Sequence, residues 1–416
     1  MLLNDCLAPL ERTCAIFGLR APKCGNKWIT VSFSLIYSIL ASLGYITILY
    51  FGYDRYLRVK SLSLEKALVS FVTYAYVPTV VSLSILGLRD TQPYRKHLER
   101  LDKLDKTLET MNIQMSDKNK QAYRMIIIAV TGWFLFITLL NLLSTFILHR
   151  ESDMLSIVFI GVMHAYPQSL SYLVLLEFSI SAICLEWRFR KINELLRNTS
   201  VEGEAFVWNY ARLEEYLSNR RVEHHKLDNR KRNRIYWTRA RHLLQISRQV
   251  HLELCKTSRK ISKSFGLQIL VITVSYIILL TFLFYNLYVK LNTPNATILS
   301  KIKKTLFTLF LFISYLGQLL FVNRACDSTG REAMITAEVV HRINSNVARP
   351  EIREEIYQFG LQLLQNPLNF SAMGFFSLNN NSLRTIAGVI STYSVILIQI
   401  SNFIESKKKK IHDFRM

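Results

Sequence analysis

Half of the 416 residues are hydrophobic, 20% are charged, and the formal net charge is +22. With a positive mean hydropathy of +0.19, this composition predicts a membrane protein whose charge is gathered into loops. Nucleic acid is excluded as the expected partner, because the basic residues lie between apolar runs, where they suit the anionic inner leaflet of a membrane instead.

About 20 residues let a helix cross the hydrocarbon layer, and seven apolar runs of that order follow one another at 28–53, 64–88, 123–148, 155–187, 265–289, 306–322 and 383–404. The first begins only at Trp28 and is long enough to span, which predicts a retained helix rather than a cleaved leader. The expected fold class is therefore an all-α membrane protein. Residues 1–27 form a cytosolic N-terminal segment and 28–404 the seven-span domain; 188–264 and 323–370 are cytosolic helical extensions, and 405–416 is a short basic tail. With the N-terminus inside, the inner segments hold 35 Lys and Arg and the outer ones 13, or 17 to 13 without the long third inner segment. That bias predicts a cytosolic N-terminus and an extracellular C-terminus. Lys407 to Lys410 oppose it. In favour, the six cysteines all fall on cytosolic segments or span ends, and the sequon Asn295-Ala296-Thr297 falls in an outer loop.

Polar residues at membrane depth are candidates for function, since lipid offers them no partner. The fourth run covers 33 residues, about 50 Å as a helix, and carries His164, Tyr166, Pro167, Gln168, Tyr172 and Glu177. Thr138, Asn141, Ser144 and Thr145 lie late in the third run; Tyr74 and Tyr76 in the second and Tyr285 in the fifth lie at a similar depth. A cavity walled by amides, hydroxyls and aromatic faces suits a small polar or amphipathic ligand. Its candidate residues are Tyr74, Tyr76, Thr138, Asn141, Thr145, His164, Tyr166, Gln168 and Tyr285, although each alone is equally readable as an inter-helix hydrogen bond. Glu177 reads either as a protonated structural group or as the partner of a cation from another helix.

On the cytosolic side, three apolar stripes repeat at helical spacing: Leu243, Ile246, Val250 and Leu254; Ala333, Ala337, Val340, Ile343 and Val347; and Ile352, Ile356, Phe359 and Leu363. They need cover, either from a neighbouring subunit or from the same chain. No phosphate-cradling glycine loop, His-Glu-x-x-His or nucleophile elbow is present, and the cysteines have no metal spacing, so neither an enzyme nor a cofactor or metal is expected. His224-His225 reads as part of a solvated basic stretch. Asp54-Arg55-Tyr56 and Asn366-Pro367-Leu368-Asn369-Phe370 echo motifs of G-protein-coupled receptors, but the first follows the wrong span and the second precedes the last span rather than lying inside it.

The last run, LRTIAGVISTYSVILIQISNFI, embeds Thr392, Tyr393, Ser394 and Gln399 in aliphatic sequence, with Tyr393, Ile396 and Ile400 three and four residues apart. This reads as a pore-lining helix or as a buried helix whose amide bonds a neighbour. Thr392-Tyr393, five mostly apolar residues and Gln399 resemble the C-terminal signature of insect gustatory receptors, with Ile400 where the family usually has Phe. The lead-in SAMGFFSLNNNSL is similar to the family's run into its seventh span. The resemblance implies a taste receptor that is itself a ligand-gated cation channel in the plasma membrane of chemosensory neurons, formed as a homotetramer or with other gustatory receptors. The implied partners are a small tastant, membrane lipid and permeant cations. It also implies that cytosolic extensions form an inter-subunit anchor, that Gln399 with Ile396 or Ile400 forms the constriction, and that Thr392 and Tyr393 couple this helix to the fifth span. Glu405 would then stand at the pore mouth. A seven-span G-protein-coupled receptor and a small-molecule transporter are the alternatives.

Overall fold

The computed structural model describes the chain apart from residues 1–2, 22–26, 58–62, 112, 149–153, 219–222, 293–297, 344–349 and 414–416. Within helices it also leaves aside the side chains of 27–31, 52–57, 63–70, 72–73, 144–148, 154–157, 160, 199–218, 223–237, 300, 351, 405 and 408–413.

Among the described residues the architecture is helical, in the order α1 (Leu3–Ile16), α2 (Lys27–Leu57), α3 (Ser63–Thr110), α4 (Ser116–Leu148), α5 (Met154–Ser218), α6 (Glu223–Asn292), α7 (Ile298–Arg342), α8 (Pro350–Gln365) and α9 (Asn380–Asp413). Six of these helices, α2, α4, α5, α6, α7 and α9, are long and apolar enough to cross a membrane. The run 64–88 forms the first half of α3, where many side chains lie outside the description. One feature absent from the sequence reading is a small antiparallel hairpin, β1 (Ser371–Ala372) with β2 (Phe376–Ser377). Met373 and Gly374 turn it with φ of 52° and 82°. The backbone of the hairpin is held on α6 by the Ser262 hydroxyl, which lies 3.2 Å from both the Ser371 N and O.

α5 is the centre of the bundle: of its most apolar 18 residues 89% are buried, against 17% for those of α9. Charged groups in that centre are paired. Arg20, in the connection after α1, meets Glu177 of α5 with Nε 3.1 Å from both carboxylate oxygens and Nη2 at 2.9 Å, and also donates to the Gly87 carbonyl at 3.1 Å. The carboxylate of the fourth run is thus paired with a cation from outside the spans. The approach is close enough that a Cβ on Gly87 would collide with the Leu19 backbone. Immediately after the apolar run, Arg188 forks onto Asp105 at 2.8 and 2.6 Å. Removing one member of such a buried pair leaves an uncompensated charge and costs about 3–5 kcal/mol.

Past the apolar runs, α5, α6 and α7 continue as long helices. Thr336 donates to Asn193 Oδ1 at 2.7 Å and Asn193 to the Glu332 carbonyl at 2.9 Å, tying α5 to α7. α8 lies against α6 and α7, so Val250, Leu254, Ala333, Val340, Ile352, Ile356, Phe359 and Leu363 are buried within this one chain. The described part of the three stripes is therefore covered without a second subunit; Val347 lies outside the described residues. What stays exposed here is another set, Met334, Tyr357, Leu361 and Leu364.

His97, beyond the apolar half of α3, is buried with an unpartnered Nδ1. Burial, then Arg100 and Lys260, push its pKa down from 6.5 to about 4. The folded chain favours the neutral ring, so this contribution to stability is complete above pH 6.5 and is lost as pH falls towards 4. Acidifying from pH 7 to 5 is expected to cost about 2 kcal/mol through this residue. In detergent, His97→Gln should flatten that part of the profile of unfolding temperature against pH; superimposable profiles would remove His97 as the source.

Candidate functional site

Two polar features remain once the helices are packed, one inside the bundle and one on α9. The interior one begins at Pro167. A proline cannot donate to the carbonyl four residues back, and that carbonyl, of Met163, instead accepts the Tyr45 hydroxyl at 3.2 Å. Tyr45 also leans on Tyr166, with ring centres 5.5 Å apart. Next along α5, buried Gln168 interacts with Tyr315 of α7, as does Tyr76 of α3. Tyr76 meets the His164 ring edge-on at 6.3 Å. Tyr276 of α6 stands against Tyr315, with ring centres 5.0 Å apart at 76°, and donates to Gln318 Oε1 at 2.6 Å.

Four helices therefore converge on one cluster of phenols, amides and an imidazole, able to offer hydrogen bonds and aromatic faces to a small amphipathic molecule. Of the residues named from sequence, Tyr76, His164 and Gln168 are brought together here. Tyr166 belongs to a neighbouring aromatic column, stacked on Phe17, whose carbonyl its hydroxyl reaches at 3.4 Å. The others stand elsewhere. Tyr74 is exposed, and Thr138 is exposed and bonded to its own helix at the Phe134 carbonyl. Asn141 is half-buried beside Gly161, and the Thr145 side chain lies outside the description. Tyr285 is buried but turned to α9, where it lies 3.1 Å from the Ser401 hydroxyl. A shared depth along the sequence did not distinguish the helix faces. Tyr45, Tyr276, Tyr315 and Gln318 were missed, although each is a polar group within an apolar run, the signal that singled out Gln168.

α9 starts at a local cap: the Asn379 carboxamide oxygen accepts the amides of Asn381 and Ser382 at 3.1 and 3.0 Å. Beyond it, Ser382, Ile386, Ile390, Ser394 and Ser401 are buried along one stripe against α6 and α7. Tyr285 to Ser401 and Tyr288 to Asn402, at 3.1 and 3.2 Å, fasten its far half to α6. Gln399 sits about 200° round the helix from Ser401 and is exposed, as are Ile396 and Ile400. Thr392 donates to the Gly388 carbonyl of its own helix at 2.9 Å, and Tyr393 is exposed. Within the chain the α6 contact runs through the serine stripe, with Thr392 and Tyr393 exposed beside it. The Glu405 side chain lies outside the described residues.

The uncovered face differs from the surfaces of the other helices. α2 exposes Phe33, Leu35, Ile36, Ile39 and Leu40, and α4 exposes Ile128, Leu135, Leu139 and Leu142, as lipid requires. α9 exposes Tyr393, Val395, Ile396, Ile400 and Phe403 as well, but sets among them Thr385, Ser391, Thr392, Gln399 and Asn402.

The chain matches the family described as 7tm Chemosensory receptor over residues 7–402. It is 24% identical over 229 residues to putative gustatory receptor 28b of Drosophila melanogaster, covering 54% of this chain and 47% of that protein. It is 32% identical over 157 residues to the Drosophila gustatory receptor for sugar taste 43a, covering 38% of this chain and 36% of that protein. The chain therefore spans about half the length, or less, of these relatives. Its fold is similar to that of the insect olfactory receptor OR5 from Machilis hrabei in complex with eugenol, with a TM-score of 0.63 and 13% identity, covering 96% of this chain and 98% of that one.

The Tyr285–Ser401 bond ties the buried side of α9 to α6. Tyr285→Phe and Ser401→Ala should each lower thermal stability by about 1 kcal/mol, and the double variant by less than their sum. Strict additivity in that cycle would mean the two hydroxyls do not interact.

Proposed function

The chain belongs to the 7tm chemosensory receptor family, as an insect gustatory receptor, and we propose that it is a ligand-gated cation channel of the plasma membrane of chemosensory neurons. On this reading it has seven spans, a cytosolic N-terminus and an extracellular C-terminus, and four subunits, identical or mixed with other gustatory receptors, surround a pore lined by α9. The observation that carries the reading is the polar face of α9. The hydroxyls of Thr385, Ser391 and Thr392 are met by carbonyls of their own helix, but the exposed Gln399 amide at span depth needs water or another chain, and a central pore supplies both. Ile396 and Ile400 gathered round an axis would close it by dewetting, while Gln399 amides replace part of a cation's hydration. Glu405 would add carboxylates at the mouth, and the exposed Met334, Tyr357, Leu361 and Leu364 would meet neighbouring subunits in the anchor.

A small tastant fits the interior cluster of Tyr76, Gln168, Tyr276 and Tyr315. It opens the pore only if it binds the open arrangement more tightly than the closed one, and α6, which carries Tyr276 in the cluster and Tyr285 against α9, is the shortest mechanical route between the two. Recordings from the purified chain in bilayers should show ligand-dependent cation current. Gln399→Ala should change ion permeability or gating at unchanged surface expression; unchanged currents would remove Gln399 from the constriction. G-protein activation without current, or saturable ligand uptake without current, would replace the channel by a coupled receptor or a transporter.

A further inference from the structure

A second cavity, of about 500 Å³, opens sideways between α4, α5 and α7. Its walls are apolar and largely aromatic: Trp133, Phe136, Tyr172, Phe310 and Phe321. Two of them are held in place before any ligand arrives. The rings of Trp133 and Tyr172 stack 4.0 Å apart at 6°, the Trp133 indole donates to the Ser169 hydroxyl at 3.2 Å, and the Tyr172 hydroxyl donates to the Ala129 carbonyl at 3.0 Å. Gly132 and Gly317 line the same space, and a Cβ on either would meet nothing within 4 Å. Side chains of ordinary size at those positions would occupy the cavity.

Ser314 and Gln318 add polar side chains to the lining. Gln318 is only 8% exposed; its Oε1 accepts from Tyr276, yet its Nε2 has no hydrogen-bond partner. A buried donor left unmet is costly, and here it lines a largely apolar cavity. Phospholipid cannot satisfy it. Trp133 and Tyr276, which flank Gln318, lie near the middle of their apolar runs. Ester carbonyls sit at the edge of a hydrocarbon layer about 30 Å thick, so at this depth a lipid offers only its chains.

We propose that this lateral cavity is a binding site, separate from the interior cluster, for a compact apolar molecule with a single hydrogen-bond acceptor that enters from the bilayer. The acceptor takes the Gln318 Nε2–H, and the aromatic walls take the hydrocarbon part. Because the same amide holds Tyr276, which stands against Tyr315, an occupant acts on the interior cluster through one residue. The effect on gating rests on the channel reading; binding does not.

Benzophenone has one carbonyl, is apolar and cross-links on irradiation, so it serves as the probe with the full chain in phospholipid nanodiscs. Peptide mapping should place its adducts mainly around Trp133 and between Phe310 and Phe321. Gln318→Leu should raise the half-saturating concentration about tenfold. Gly132→Leu and Gly317→Leu, which meet no protein atom, should abolish labelling there with the chromatographic profile unchanged. Adducts spread over all exposed apolar helix surfaces and indifferent to these substitutions would overturn the proposal, as would a phospholipid chain retained in the cavity that benzophenone does not displace. Labelling is read without current, so failure here and failure of the channel reading are separate results.

Discussion

The constraint on which the account depends is that a primary amide at span depth cannot be left facing hydrocarbon. Gln399 occupies the side of α9 opposite its packing stripe, among exposed Thr392, Asn402, Ile396 and Ile400. Low burial alone would not single this helix out, because only 28% and 22% of the most apolar 18 residues of α2 and α4 are buried. Their exposed surfaces are mainly aliphatic and aromatic, with hydroxyls such as Thr47 and Thr138 bonded back to their own helix. Only on α9 does a thinly covered helix present amides and hydroxyls together, and that combination asks for water and for further chains.

The rest of the subunit supplies a rigid frame for that helix. α5 is buried along most of its length and has its charges neutralised internally by Arg20 and Asp105, so it can run from the interior cluster into the extension without leaving an unpaired ion. α6 and α7 run beside it, and hydrogen bonds such as Thr329 to the Ala182 carbonyl at 2.9 Å keep their register. α9 is attached to this frame by a narrow stripe of small residues. Of these, Ser394 is fully buried with its hydroxyl unpartnered. A helix held mainly by serines and a few isoleucines loses less packing when it shifts than one held by large interlocking side chains, which suits the moving element of the proposed channel.

Much of this was legible in the sequence. Apolar runs of spanning length located the helices, because the hydrocarbon thickness fixes their extent whatever they pack against. The terminal signature located α9, and Pro167 announced a free carbonyl whose partner, Tyr45, only the packing could name. The interior cluster was half legible. Depth along a run placed Tyr76, His164 and Gln168 correctly at one level, but it equally nominated Tyr74 and Thr138, which point away from the bundle, since a face is set by neighbouring helices. The apolar stripes of the extensions were read correctly as needing cover, while the source of the cover, α8 of the same chain, depended on a tertiary fold-back. Arg20 carried no signal at all: an arginine in a connection becomes the partner of a mid-bundle carboxylate only once α1 folds across α3, α4 and α5.

The most direct measurement is a cryo-electron microscopy reconstruction of the purified chain in lipid nanodiscs. The account expects several copies of the last helix round one axis, with the Gln399 amides turned towards it and the serine stripe turned back against α6. A solitary subunit, or an assembly in which Gln399 meets acyl chains, would contradict it.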